Sequence, residues 1–529
     1  MRGLEIIVVV LTAVLALTWL AQRLRVSEPL LLLLGGLVLA AAPDIGGVHL
    51  SGNVVLLGFL PPLLYAEALT ISQYQIRANF RVIVLLSVGL VLATTATVAA
   101  TGHAFGLTWA VAFVLGAVLS PTDATAVAAV ARGLPRRFLT TMQAESLVND
   151  GTALAAYAVA VDVATGRNSF SWGEAVGRFL LDYAGGLAIG AGVGLLVIAV
   201  RRHLHSTPLE SGLSVLTPFA AYLPAEAAGV SGVLAVVVGG LVISRASPLL
   251  IPARSRMQVV DFWSVTAFLL NGSLFVLVGT QLPHVVGDLT AMSPWRAVQL
   301  AAAVSAVVMA TRLVYVFFSP YAVRAVDRRK VQRLRRIPPR YRIPTAWGGV
   351  RGGVSLAAAL SMPTLTESGQ HLASRDTVVF VTAMVIVATL LLQGQTLPAV
   401  IRWARLPPDR EADTEEQLAY RHIAEAALES LPGHAARLHT PAAVVERVGN
   451  ELRAHAAMTE GPSPGHRTEY ALRRQIIAAK RTALVDLRDR RRIDDSVLRR
   501  VQESLDAEDL RLELGLEGHR LAHHPQPEG

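Results

Sequence analysis

Thirteen apolar segments separated by short loops set the limits within which this chain can fold. They run over roughly residues 4–20, 29–47, 53–70, 81–101, 107–131, 140–163, 177–200, 211–224, 228–244, 258–282, 297–319, 343–364 and 376–399. A bilayer core takes about 20 apolar residues per helix and offers the backbone no hydrogen-bond partners. Continuous apolar runs of this length therefore predict transmembrane helices. Charged residues make up only 16% of the 529 positions, against roughly 25% in soluble domains. The expected fold is an all-α polytopic membrane protein of about thirteen helices. The first segment follows only Arg2 and lacks a small-residue cleavage site, so it reads as a span and not as a removable leader.

The charges are concentrated beyond residue 400, which divides the chain into a transmembrane domain over 1–403 and a soluble helical tail over 404–529. Helical stretches are expected at Glu415–Leu431 and Gln475–Leu510, with breaks at Pro432, Pro441, Pro462 and Pro464. The tail reads as a solvated appendage, in which His422, His434 and His439 are scattered. The net charge of +9 sits mainly in short loops, so it speaks for topology and not for nucleic-acid binding. Alternate loops carry Arg23 and Arg25, Arg77 and Arg81, Arg132 with Arg136 and Arg137, Arg201 and Arg202, then Arg245, Arg254 and Arg256. The richest holds nine basic residues between Arg324 and Arg342. These loops are expected on the cytoplasmic side, with the N-terminus outside and the tail inside. With no cysteine there is no disulfide or thiolate chemistry.

Ionisable groups inside spans cost about 3 kcal/mol on insertion scales and mark function. The strongest cluster is Gln143-Ala144-Glu145-Ser146-Leu147-Val148-Asn149-Asp150-Gly151. Three- and four-residue steps put Ser146, Asn149 and Asp150 on one helical turn, with Glu145 on its edge. Carboxylate, hydroxyl and amide oxygens are the ligands a small hard cation wants. A carboxylate out of water also takes up protons more readily, so one group could hold cation and proton in turn. The second feature is Ser120-Pro121-Thr122-Asp123-Ala124-Thr125, in the middle of another apolar segment. Pro121 predicts a broken helix whose freed carbonyls, with Thr122 and Asp123, face an ion. Alternative roles are a simple proline kink with Asp123 as a helix cap, and polar glue between helices for the first cluster.

The third feature, Trp347-Gly348-Gly349-Val350-Arg351-Gly352-Gly353-Val354-Ser355, predicts a second interruption. Its lone Arg351 needs an anionic partner, for which Glu145 is the candidate. The two interrupted segments lie about 230 residues apart, a placement that points to an inverted-repeat transporter. Gly190, Gly192 and Gly194 lie within a span and read as helix packing, not as a dinucleotide loop. Glu67 and Asp261 read as structural charges near span ends, and Arg312 as the partner of some carboxylate. No nucleophile–base pair, phosphate loop, cofactor motif or resident-metal spacing stands out, so neither an enzyme nor an ATP-driven pump is expected.

These residues resemble the monovalent cation:proton antiporter-1 family of sodium/proton exchangers. The likeness rests on Phe59-Leu60-Pro61-Pro62-Leu63-Leu64, Ser120–Ala124, Glu145–Gly151, Gly349–Leu356 and Leu392-Gln393-Gly394-Gln395-Thr396-Leu397-Pro398, in order along the first 400 residues. It implies inverted repeats, a homodimer in the plasma membrane, and alternating access by movement of an ion-carrying core. It implies Asp150 as the carboxylate for which Na⁺ and H⁺ compete, with Thr122, Asp123, Ser146, Glu145 and Asn149 around the ion. Arg351 is implied to pair with Glu145, and the Asn149–Asp150 sequence goes with electroneutral exchange. Li⁺ or K⁺ as the cation, a cation channel, and a membrane-anchored signalling protein are the alternatives.

Overall fold

The computed structural model describes residues 2–510 apart from 25, 42–51, 72, 131–135, 168–171, 205, 288, 290–291, 327–338, 371, 373, 407–409, 460–463, 491, 493–496, 499–500 and 503. The described elements are helical throughout, and none is a β-strand. They form two compact units, Met1–Pro407 and Pro408–Gly529.

In the first unit the helices are α1 (Arg2–Leu24), α2 (Glu28–Leu39), α3 (Gly52–Thr70), α4 (Gln73–Ala104), α5 (Trp109–Leu119), α6 (Ala124–Val130), α7 (Arg136–Ala164) and α8 (Trp172–Arg201). They continue with α9 (Thr207–Ala227), α10 (Gly232–Leu250), α11 (Ala253–Gly287), α12 (Pro294–Val326), α13 (Pro339–Trp347), α14 (Gly353–Leu360), α15 (Ser374–Thr389) and α16 (Gln395–Ala404). A π turn at Leu390–Gly394 joins the last two. The described part of each apolar segment lies mainly on a helix or on a helix broken in its middle. Among the described residues, eight helices have the length and apolar composition to cross a membrane. The chain is a multi-pass membrane protein. Its outer surface fits this, because Leu180, Leu181 and Leu196 are more than 60% exposed, a state that lipid solvates and water does not. Arg25, Arg132 and most of the richest basic loop lie outside the described residues.

Both predicted interruptions are present, and each has a local cause. A continuous helix would let the N–H of residue 121 bond the carbonyl of Ala117, but Pro121 has no N–H. The Ser120 N–H and Oγ take that carbonyl instead, at 3.3 and 2.8 Å, and α5 ends there. The second break spans 348–352, between α13 and α14. Helix α15 lies behind it, where Thr389 Oγ1 accepts the Arg351 N–H at 3.2 Å, and Trp347 Nε1 donates to Thr396 Oγ1 of α16 at 2.7 Å.

Two apolar clusters support this arrangement. One joins α1, α2, α4, α5, α11, α12 and α15, with Val118, Leu300 and Ile386 among its buried members. The other joins α3, α8, α9, α10 and the first half of α11 around Tyr65, Val236 and Trp263. Helix α7 supplies Met142 and Val161 to the first cluster and Ala144 and Leu147 to the second, which places the 145–150 turn where the two meet.

In the second unit, helices α17 (Arg410–Arg437), α18 (Ala442–Thr459) and α19 (Pro464–Asp489) are the main elements. Pro432 does not break the chain as expected. Helix α17 runs through it to Arg437, giving up one backbone hydrogen bond. Pro441 does precede a new helix, Pro464 opens α19, and Pro462 lies outside the described residues. The expected single stretch to Leu510 is interrupted after α19. Asp506 and Glu508 beyond it are held to α19 by Arg481–Asp506 at 2.6 Å and Lys480–Glu508 at 2.9 Å.

Candidate cation site

The two broken helices meet each other. The Asp123 N–H donates to the Val350 carbonyl at 2.9 Å, tying the first break to the second. Arg351 is fully buried, and its Nε donates to the Leu119 carbonyl at 2.8 Å while Nη1 donates to the Gly349 carbonyl at 2.7 Å. A guanidinium thus satisfies a carbonyl at the C-terminus of α5, the end that carries partial negative charge. Asp123 caps α6: its Oδ1 accepts from the N–H groups of Thr125 and Ala126 at 2.9 and 3.0 Å and from Thr125 Oγ1 at 2.6 Å. Gly352 faces that carboxylate so closely that a methyl group there would overlap Asp123 Oδ2.

Helix α7 completes the arrangement. Ser146 Oγ donates to the Thr122 carbonyl at 2.6 Å, and Asn149 Nδ2 donates to Thr122 Oγ1 at 3.3 Å. The unwound Thr122 is therefore held from one turn of α7, the turn that also carries Asp150. These groups border a cavity of about 30 Å³, enough for a bound ion or a water. Of the residues expected at the site, Thr122, Asp123, Ser146 and Asp150 line it. Asp150 is 6% exposed, and its carboxylate accepts no hydrogen bond from the described residues.

Glu145 and Asn149 stand behind the wall and do not line the cavity. The expected pair between Glu145 and Arg351 is not formed. Glu145 Oε1 lies 2.7 Å from Arg312 Nη1, and Arg312 also donates to the Thr345 carbonyl at 3.2 Å from both Nε and Nη2. Arg351 turns Nε and Nη1 to backbone carbonyls of the two breaks and leaves Nη2 without a partner among the described residues, whereas Arg312 reaches Glu145 from α12. Gly349 makes that route possible, since a methyl group there would overlap Arg312 Cδ.

Four polar lining residues lie outside the set expected at the site: Thr125, Glu67, Asn271 and Ser355. Glu67 reaches the cavity from α3, and its carboxylate is likewise without a hydrogen bond from the described residues. The signal was present in Pro61 and Pro62, which lie inside α3 one to two turns before it. Asn271 lines the cavity from α11, where an amide stands in an otherwise apolar stretch. Ser355 lines it from the first turn of α14. Asp261, by contrast, lies on an exposed part of α11, away from the cavity.

Residues 9–403 match the family described as sodium/hydrogen exchanger, transmembrane. An uncharacterized Na⁺/H⁺ exchanger of Mycobacterium tuberculosis is 43% identical over 96% of both chains. A sodium, potassium, lithium and rubidium/H⁺ antiporter of Bacillus subtilis is 31% identical over 74% of this chain and 61% of its own. The structure of a sodium proton antiporter from Methanocaldococcus jannaschii at pH 8 shares the fold, with a TM-score of 0.56 at 18% identity over 74% of this chain and 98% of that one. The chain is a transporter and not an enzyme, and it belongs to the transmembrane sodium/hydrogen exchanger family.

Proposed function

We propose that this protein is a secondary active antiporter exchanging Na⁺, and Li⁺ alongside it, for H⁺ across the plasma membrane, one for one. Cation and proton take turns on Asp150. The observation that carries the reading is a buried carboxylate that accepts no hydrogen bond from the described residues, facing a cavity where two broken helices meet. An intramembrane carboxylate left in that state calls for a cation or a proton to neutralise it.

The roles of the neighbours follow from their bonds. Asp123 and Thr122 offer oxygen ligands from the first break, Ser146 and Asn149 fix that break, and Glu67 adds a second carboxylate across the cavity. Glu145 acts through its ion pair with Arg312, holding α7 against α12. Arg351 keeps the two half-helices crossed by capping α5. The core bearing these breaks would alternate between the two faces within a homodimer. The distribution of the basic loops supports an N-terminus outside and a tail over 404–529 in the cytoplasm.

A K⁺/H⁺ exchanger built on the same site is the second reading, favoured by the range of ions in the name of the Bacillus subtilis relative. Everted vesicles from antiporter-deficient bacteria separate the two. A pH gradient is formed and its collapse recorded on adding Na⁺, Li⁺ or K⁺, for the wild type and for Asp150→Asn. Collapse by Na⁺ that disappears in the variant is expected. Equal activity in the variant would overturn the role of Asp150, and collapse by K⁺ in preference to Na⁺ would replace the first reading with the second.

A further inference from the structure

We propose that Ser355 supplies a further cation ligand, its hydroxyl oxygen, from the second broken helix. The inference rests on the reading of the Asp150 cavity as the ion site and adds a residue to it. The other hydroxyls lining that cavity are already engaged. Ser146 Oγ donates to the Thr122 carbonyl, Thr122 Oγ1 accepts from Asn149, and Thr125 Oγ1 donates to Asp123. Ser355 Oγ is different: it is buried, its residue is 1% exposed, and it has no hydrogen-bond partner among the described residues.

Its place in the chain explains why. Buried serines and threonines inside helices usually discharge their hydroxyl onto the carbonyl one turn earlier, as Thr152 does to Val148 and Ser305 does to Ala301. Ser355 is the third residue of α14, and one turn earlier the backbone is the unwound second break. No helical carbonyl stands behind it. A buried hydroxyl without a partner is costly, and a group that interacts with an occupant of the cavity removes that cost. The cavity carries Asp150, Glu67 and Asp123, so the occupant it favours is a cation. A hydroxyl suits both stages of an exchange. It can turn a lone pair to the cation, and its O–H toward a carboxylate once the cation has left.

The test measures KM for Na⁺, Li⁺ and K⁺ in everted vesicles for the wild type, Ser355→Ala, Ser355→Thr and Ser355→Cys, with Asp150→Asn alongside. Loss of one oxygen ligand is expected to raise the KM for Na⁺ and Li⁺ roughly fivefold in Ser355→Ala, with the maximal rate kept. Ser355→Thr, which retains the hydroxyl, is expected within about twofold of wild type, by the same measure. Ser355→Cys keeps the size but offers a soft sulfur, and is expected to lose affinity as alanine does. It also serves if the alanine variant fails to accumulate. Wild-type KM in both the alanine and cysteine variants would overturn the inference, as would equal impairment in threonine and alanine, which would mark a packing position. If Asp150→Asn abolishes exchange while Ser355→Ala is unaffected, only the role of Ser355 falls. If Asp150→Asn keeps full exchange, the reading of the cavity itself falls.

Discussion

Arg312 Nη1 stands 2.7 Å from Glu145 Oε1, and both side chains are buried, Arg312 to 1% exposure. The pair joins α12 to the helix that carries Asp150. Removing one partner leaves an uncompensated buried charge, which costs about 3–5 kcal/mol. Arg312→Gln should therefore lower the melting temperature of the detergent-purified protein markedly. The double replacement Glu145→Leu with Arg312→Met removes both charges and should recover most of that loss. If the single variant melts like wild type, the pair does not hold the core together.

Gly352 is expected to tolerate no side chain. A methyl group there overlaps Asp123 Oδ2, while Oδ1 is fixed as the cap of α6. Overpacking of this kind costs about 1–3 kcal/mol, and here it falls on a group that lines the cavity. Gly352→Ala should reduce cation-driven collapse of the pH gradient roughly tenfold at unchanged expression, following the same cost. Gly394, which has open space around it, provides the contrast: Gly394→Ala should leave transport close to wild type.

Ser146 has a narrower role, donating its hydroxyl to the Thr122 carbonyl at 2.6 Å. The carbonyl belongs to unwound backbone, which has no helical partner to fall back on. Ser146→Ala should release it at a cost of about 1 kcal/mol, seen as a rise in cation KM of roughly fivefold. An unchanged KM would mean that Asn149 alone holds Thr122 in place.

Much of the frame was legible in the sequence because its causes are local. Pro121 lacks an N–H and the 348–353 run is rich in glycine, so both breaks could be located within a few residues. The 145–150 turn was legible because three- and four-residue steps share a helix face. The partner of Glu145 was not, since Arg312 and Arg351 are both lone cations in later spans and only packing decides between them. Glu67 and Asn271 were missed for a related reason. A charge near the end of an apolar stretch, or a lone amide within one, looks incidental until α3 and α11 are seen to bring them to the place where the two breaks meet. The π turn at Leu390–Gly394 carried no signal of its own, although its motif, Leu392–Pro398, was one that marked the family.

Competition at one carboxylate makes a quantitative demand on pH dependence. If Na⁺ binds only the ionised form of Asp150, protons act as a competitive inhibitor, and the apparent cation KM rises as pH falls. Once the carboxylate is mostly protonated, each further unit of acid lowers its ionised fraction tenfold. The logarithm of KM should then climb with a slope approaching one per pH unit, while the maximal rate at saturating Na⁺ stays nearly constant. Glu67, the second carboxylate in the same cavity that accepts no hydrogen bond from the described residues, makes this informative. If both carboxylates had to be ionised for the cation to bind, the limiting slope would approach two. Measuring KM in vesicles from pH 6 to 9 for wild type and Glu67→Gln decides it. A slope near one in both supports one-for-one exchange at Asp150, whereas a slope near two in wild type that falls to one in Glu67→Gln would show two protons displaced and overturn electroneutrality.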